Sequence, residues 1–386
     1  MSDKKNVPKI RFPGFTEPWE QRKLGEVCQE FKSGTSLKAD QIDTAGDYPV
    51  YGGNGLRGYT SDYNHDGEFA LIGRQGALCG NMNYSVGKAY FTEHAVVVDA
   101  DINNDIKFLY YMLDTMNLGQ YSDQSAQPGL AVNKLVKLEN LFPTKEEQRR
   151  IGRYFSNIDH LITLHQRKLE HVKKMKKSML QKMFPKKNQL YPEVRFPGFT
   201  DAWEQRKFSE FTWNAGKRNK EDLDLEPYAI TNEHGFIKQS EAHDDFGYMK
   251  DTDRKAYNIV MPNSFAYNPA RINVGSIGYY EGTENVIVSS LYEVFQTADY
   301  VDDRFLWHWF KSDEFPKWIE RLQEGSVRLY FYYDKLCECQ MLMPSVPEQK
   351  KIAEALDNLD NLITLHQREL DHLQLLKKGM LQQMFI

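Results

Sequence analysis

The chain is a tandem duplication, and this limits its fold more than any other feature. The segment VPKIRFPGFTEPWEQRK (7–23) recurs as YPEVRFPGFTDAWEQRK (191–207), an offset of 184. LITLHQRKL (161–169) recurs as LITLHQREL (362–370) and LQKMF (180–184) as LQQMF (381–385), both at an offset of 201. Pro143 and Gln148 match Pro344 and Gln349 at that same offset. The second copy is therefore 17 residues longer, and the extra length lies in its middle. The ends have barely diverged and the middles clearly have. The ends do one shared job, and the middles do different versions of a related one.

The repeated C-terminal piece of each copy reads as a long helix. Ile151, Phe155, Ile158, Ile162, His165, Leu169 and Val172 alternate gaps of four and three, as do Ile352, Leu356, Leu359, Ile363, His366, Leu370 and Leu373. An apolar repeat of 3.5 residues sustained this way predicts a coiled coil. Pro143 and Pro347 sit at or before the helix starts, where a missing N–H is harmless. The expected helix-pair core is Ile151, Ile158, Ile162, His165 and Leu169 against Ile352, Leu359, Ile363, His366 and Leu370. Antiparallel packing returns the chain to its beginning and predicts a pseudo-two-fold arrangement. The two histidines read as register-setting polar residues in the seam, not as metal ligands or catalysts.

The middles read as mixed α/β. EFALIG (68–73), AVVVDA (95–100), NIVMP (258–262) and NVIVSS (285–290) predict strands, and IKFLYYMLDTM (106–116) and RFLWHWFKS (304–312) predict amphipathic helices. The expected fold class is α+β, two duplicated α/β domains joined by two long antiparallel helices. The expected boundaries are 1–144 for the first domain with its RFPGF arm, 145–187 for the first helix, 188–345 for the second domain with its arm, and 346–386 for the second helix.

Composition removes several classes. No run of 18 apolar residues occurs, and the N-terminus has no apolar signal core, so a membrane protein or secreted chain is not expected and a cytoplasmic location is. Four scattered cysteines make no disulfide scaffold, and Cys337 and Cys339 lack zinc-knuckle spacing. The net charge is −5, but residues 145–187 carry 13 Lys/Arg against 4 Asp/Glu. The basic run KKMKKSMLQKMFPKK (173–187) leaves two readings open, phosphate contact or a solvated or partner-binding helix face. Catalytic motifs fail. There is no P-loop, zinc pair or nucleophile elbow. Gly53-Asn54-Gly55-Leu56-Arg57-Gly58 fits G-x-G-x-x-G, but nothing after it opens a helix. Tyr267-Asn268-Pro269-Ala270 is similar to the loop of N6-adenine methyltransferases but lacks the stacking aromatic.

The arrangement resembles the specificity subunit of a type I restriction–modification system. The carriers are the RFPGF…W-E-Q-R-K openings, the helix starts Pro143/Glu147-Gln148/Ile151 and Pro344/Pro347-Glu348-Gln349/Ile352, and the Asp-x-Leu-Ile-Thr-Leu-His-Gln-Arg cores. GSIG (275–278), QPGL (127–130) and the stretch 87–95 are similar to target-recognition loops. The resemblance implies a non-catalytic subunit that binds double-stranded DNA at a split site, one half per domain, with the helices setting the gap. It implies two modification (methyltransferase) subunits and motor-nuclease restriction subunits as partners. S-adenosylmethionine, ATP and magnesium are then implied on those partners, and no cofactor or metal on this chain. An enzyme that itself modifies or cuts DNA, or a scaffold without DNA, are the competing readings.

Reading a duplex needs Arg, Asn, Gln and Ser side chains at base edges plus contacts to phosphates. The expected DNA-binding residues lie in glycine-bearing loops. They are Asn54, Arg57, Arg74, Gln75, Asn81, Asn83, Gln124 and Gln127 in the first domain. In the second they are Lys217, Arg218, Asn268, Arg271, Asn273, Ser276, Ser326, Arg328 and Tyr330.

Overall fold

The computed structural model describes residues 6–122, 129–186, 189–232, 235–242, 254–325 and 329–385. The chain divides into two compact units, residues 1–167 with 367–386, and residues 168–366. The elements that recur are α1 (Ile106–Thr115), α2 (Lys145–Lys182), α3 (Asp303–Phe310) and α4 (Val346–Met384). Each long helix begins in one unit and ends in the other.

The first unit holds a six-stranded sheet in the order Cys28–Ser33, Ala95–Ala100, His65–Gly73, Met82–Phe91, Tyr48–Gly52, Gly55–Thr60. The predicted strand 95–100 is the buried second strand, and 68–73 ends the third. Helix α1 is N-capped by Asp105, whose carboxylate accepts from the Phe108 N–H at 3.0 Å. It buries Phe108, Leu109, Tyr111, Met112 and Leu113 in a core shared with Trp19, Ala70, Ile72 and Val96.

The second unit repeats these pairings with two of the strands interrupted, which divides them into two sheets. One runs Thr212–Asn214, Glu293–Thr297, Ser264–Tyr267, Ile277–Tyr280. The other runs Lys217–Arg218, Asn258–Val260, Val286–Val288, Pro227–Thr231, Gly235–Lys238. The predicted strands at 258–262 and 285–290 are present but shorter. Helix α3 repeats α1, with Asp302 as its cap and Phe305, Leu306, Trp309 and Phe310 buried.

The boundaries expected at 145 and 346 fall at the helix starts, yet neither helix is a separate domain. Ile151, Phe155 and Ile158 sit in the core around Trp19 and Phe108. Ile352, Leu356 and Leu359 sit in the core around Trp203 and Phe305. In the first unit the start of α2 runs antiparallel to the end of α4: the Phe155 ring lies 5.8 Å from Phe385, and Asp159 pairs with Lys377 at 2.6 Å. In the second unit the end of α2 accompanies the start of α4, and Lys176 pairs with Asp360, the same two positions displaced by 201. Of the expected seam, Ile151, Ile158, Leu169, Ile352, Leu359 and Leu370 are buried, and Ile162, His165, Ile363 and His366 are half-buried.

The near-identical ends build one clamp in each unit. Arg11 meets Glu147 in a two-point ion pair at 2.6 and 2.7 Å, and Arg195 meets Glu348 at 2.7 and 2.7 Å. Both glutamates are buried. The Gln148 amide donates to the Pro143 carbonyl and accepts from the Asp105 N–H, each at 2.9 Å. Gln349 does the same with Pro344 at 3.0 Å and Asp302 at 2.8 Å. Trp19 packs edge-on to Phe108 and Phe385, and Trp203 meets Phe305 and Phe184 likewise. Each unit therefore takes its closing phenylalanine from the other repeat.

Candidate nucleic-acid interface

In the first unit the candidate side chains gather at one edge of the sheet. Tyr48–Gly52 and Gly55–Thr60 form a hairpin closed by Gly53-Asn54, which puts Asn54 at its exposed tip. Gly55 has φ +88°, a conformation that favours glycine, and its backbone lies against the Asn83 side-chain amide. Arg57 crosses Gly52, where an added Cβ would be 2.5 Å from its Cδ. The G-x-G-x-x-G match is thus a hairpin and not the start of a helix. Gly73-Arg74-Gln75 leaves the third strand beside this turn: a Cβ on Gly73 would meet the Gly53 carbonyl at 2.3 Å. Arg74 Nη1 donates to the Glu93 carbonyl at 3.3 Å, and Gln75 bonds His94 at 3.0 Å. Asn81 is exposed, and its carbonyl accepts from the Gly73 N–H at 2.8 Å. Asn54, Arg57, Arg74, Gln75, Asn81 and Asn83 thus form one cluster. Gln124 and Gln127 lie outside the described residues.

In the second unit Arg218, Asn268, Arg271 and Tyr330 line a single concavity of about 680 Å³. Asn268 and Arg271 are placed by a turn in which the Arg271 N–H donates to the Asn268 carbonyl at 3.0 Å, before the short 3-10 turn Ile272–Val274. Tyr330 is held by paired backbone hydrogen bonds with Glu324, at 2.8 and 3.0 Å. Its ring stacks parallel on Tyr332, centroids 5.5 Å apart. Lys217 and Asn273 are exposed nearby in the chain. Ser276 corrects the sequence reading. It is 3% exposed, and its hydroxyl donates to the Ile230 carbonyl at 2.9 Å, so it props the turn from inside and offers nothing to a duplex. Ser326 and Arg328 lie outside the described residues.

The sequence reading missed Asn214, Tyr292, Glu293 and Tyr332, which share the concavity. A signal for Tyr332 was present. Phe331 is fully buried between Tyr330 and Tyr332, and that alternation turns both tyrosines outward. Burial raises the Glu293 carboxyl above its usual range.

Other groups that could have carried chemistry are already committed. His308, Asp357 and Asp360 lie within 4.8 Å of one another in a grouping that could hold a metal ion. Yet Asp357 is paired with Arg304 and His308, and Asp360 with Lys176, so the chain supplies the counter-charges itself. In the basic run, Lys173, Lys176, Lys182 and Lys186 pair with Glu170, Asp360 and Glu193. The four cysteines are free thiols, and burial beside Asp101 and Asp99 pushes Cys28 up to about 12. Among the described residues no helix is long and apolar enough to cross a membrane.

Comparison with known proteins agrees with the duplication. The family described as type I restriction modification DNA specificity domain matches residues 16–174 and again 202–375. The chain belongs to this family. The two matches give each unit most of one specificity domain and a piece of the helix that ends the other. The EcoprrI specificity subunit of Escherichia coli is 44% identical over 146 residues, 37% of this chain and 36% of that subunit. The MjaVIII specificity subunit of Methanocaldococcus jannaschii is 21% identical over 97% of this chain and 93% of that subunit. The crystal structure of a type I restriction–modification S subunit from M. genitalium shares the fold, with a TM-score of 0.71 at 16% identity over 98% of this chain and 99% of that one.

Proposed function

We propose that the chain is the DNA-reading subunit of a type I restriction–modification complex acting in the cytoplasm. Each specificity domain reads one half of a split duplex site. The two long helices set the gap between halves and carry two modification subunits, which methylate adenine N6. Motor-nuclease restriction subunits join for cleavage. S-adenosylmethionine, ATP and magnesium are held by those partners, and this chain supplies recognition and scaffolding without catalysis.

One observation carries the reading. The clamps of the two units match residue for residue, while the exposed clusters mounted on them are built from different residues. Two readers of different half-sites on one frame need that combination. Both clusters consist of the side chains that read groove edges and hold phosphates.

The test assembles the chain with its modification subunits and selects bound fragments from a random duplex library. Replacing 24–142 with a divergent counterpart should change one half-site and leave the other half and the gap alone. A change in both halves would end the assignment of one half to each domain. Seven residues inserted near 172 and near 373 lengthen each helix by about 10 Å and keep the seam. Selection should then favour a gap wider by about three base pairs, and an unchanged gap would remove the helices as its measure. The chain alone should transfer no methyl group and hydrolyse no ATP.

A further inference from the structure

We propose that Arg74 in the first unit and Arg218 in the second are the guanine-reading side chains, whereas Arg57 and Arg271 hold phosphates. The proposal rests on the DNA-reading function above and assigns roles within it.

The four arginines differ in how they are held. Arg74 is pinned at both ends. Its N–H donates to the His94 carbonyl and its own carbonyl accepts from the Leu130 N–H, each at 2.9 Å. Its guanidinium then reaches back through Nη1 to the Glu93 carbonyl at 3.3 Å. Arg218 lies on the short strand Lys217–Arg218, paired with Asn258. Its Nη1 donates to the Ala256 carbonyl and, at 3.3 Å, to the Ser290 carbonyl. The two domains reach the same device from unrelated places in their sheets. Arg57 and Arg271 are both exposed, and among the described residues neither donates a side-chain hydrogen bond.

A guanidinium has five N–H donors in a planar fork. Fixing it through Nη1 leaves the Nε and Nη2 edge, a two-donor face whose direction is set before DNA arrives. That face matches the O6 and N7 acceptors of guanine in the major groove. Discrimination depends on direction, and a side chain already immobilised loses less freedom when it binds. Phosphate contact needs charge and little direction, so an arginine whose guanidinium makes no hydrogen bond within the protein suffices. Arg218 has suitable company, since it shares its concavity with Asn268 and Tyr332.

The experiment uses the complex assembled with its modification subunits and the split site selected from the random library. Each guanine of both half-sites is replaced in turn by 7-deazaguanine, which lacks the N7 acceptor. In the unsubstituted complex one guanine in each half-site should show a loss of about tenfold or more. In Arg74→Ala that penalty should vanish from one half-site only, and in Arg218→Ala from the other. Arg57→Ala and Arg271→Ala should weaken every sequence alike and lower the salt dependence by about one ion each. If no 7-deazaguanine penalty occurs in the unsubstituted complex, the assignment is wrong. It is equally wrong if the penalties persist in Arg74→Ala and Arg218→Ala, which would mark the two arginines as structural struts. If the unsubstituted complex selects no split site at all, the DNA-reading function itself fails, a result distinct from the other two.

Discussion

The two units are alike where they grip the long helices and unlike where they meet solvent. The clamp repeats down to single atoms, from the ion pairs of Arg11 and Arg195 to the amides of Gln148 and Gln349. Above it the strands pair in the same order, but two that are continuous in the first unit are each interrupted in the second, and the turns and loops carry different side chains. The contrast has a physical cause. A buried two-point ion pair cannot lose one member without stranding the other in a low dielectric. An exposed loop side chain touches little, and changing it has little effect on stability. Divergence between copies is therefore free at the polar clusters and blocked in the clamp.

The largest expected effect follows from this. Glu147→Ala and Glu348→Ala each leave a half-buried arginine without its carboxylate. Each should destabilise its own unit by about 3–5 kcal/mol, and the two losses should agree to within about 1 kcal/mol, because partners, distances and burial match. Denaturant unfolding followed by hydrogen exchange in each unit measures both. A large loss at one site and a small loss at the other would show that the clamps are alike in shape and unlike in energy. Phe184→Ala and Phe385→Ala sharpen the comparison. Each should cost about 3–5 kcal/mol, and each should loosen the unit in which the ring is buried, so that Phe184→Ala loosens the second unit although its residue belongs to the first repeat.

Much of the clamp was legible because duplication marks every residue that both copies keep. Arg11, Glu147, Gln148 and Trp19 stood out by their matches before any contact was known. The antiparallel helices were legible too, from the 3-4 apolar spacing and from the need to bring the chain back. The polar clusters were legible in part. Glycine-bearing turns pointed to Asn54, Arg57, Arg74 and Gln75, which converge through close backbone approaches at Gly53 and Gly73. Ser276 misled because its neighbours Gly275 and Gly278 mark a turn, whereas its hydroxyl is used by a carbonyl 46 positions away. No local pattern reports a partner at that separation. Asn214 and Tyr292 were missed for the same reason: distant segments bring them into the concavity.

A middle-sized effect concerns connectivity. In the first unit the Ile10 N–H donates to the Gln383 carbonyl at 3.0 Å, and in the second the Val194 N–H donates to the Lys182 carbonyl at 2.9 Å. The two hydrogen bonds join matching positions of the two repeats, and in the second unit the flanking segments are covalently continuous through residues 185–190, between Phe184 and Tyr191. A six-residue connector from Phe385 to Val7, with the chain opened between Pro185 and Tyr191, should therefore fold with both clamps intact. Exposed junctions tolerate such rearrangement. The expected change in stability is within about 1 kcal/mol, since loop closure varies slowly with length. Loss of protection around Trp203 alone would mean that the continuous junction does something its counterpart does not.

The smallest effect separates the units by pH. Where the first unit has Tyr111 donating to Asp159 at 2.7 Å, the second has His308, with Nε2 2.8 Å from Asp357. Burial lowers the His308 pKa, and the Asp357 hydrogen bond offsets this only in part. Its Nδ1 is buried and has no hydrogen-bond partner among the described residues, so a proton there would be stranded. Lys176 lowers the His308 pKa further and Asp360 opposes that, and neighbouring Lys311, pushed down to about 8 by burial, titrates above the range in question. A histidine whose pKa is lower folded than unfolded stabilises the fold above its unfolded value of about 6.5 and withdraws that contribution as pH falls below it. Burial also raises the Tyr111 pKa, so the residue at the matching place in the first unit does not titrate between pH 7 and 5. Asp357 stays ionised throughout, because its bonds to His308 and Arg304 outweigh burial and hold it at about 2. Hydrogen exchange, corrected for intrinsic rates, should therefore show α3 and the start of α4 losing protection from pH 7 to pH 5 while α1 and the start of α2 keep theirs. His308→Gln retains a neutral donor toward Asp357 and should abolish the difference between the units. If that variant loosened with acid as the original does, His308 would not be the group responsible.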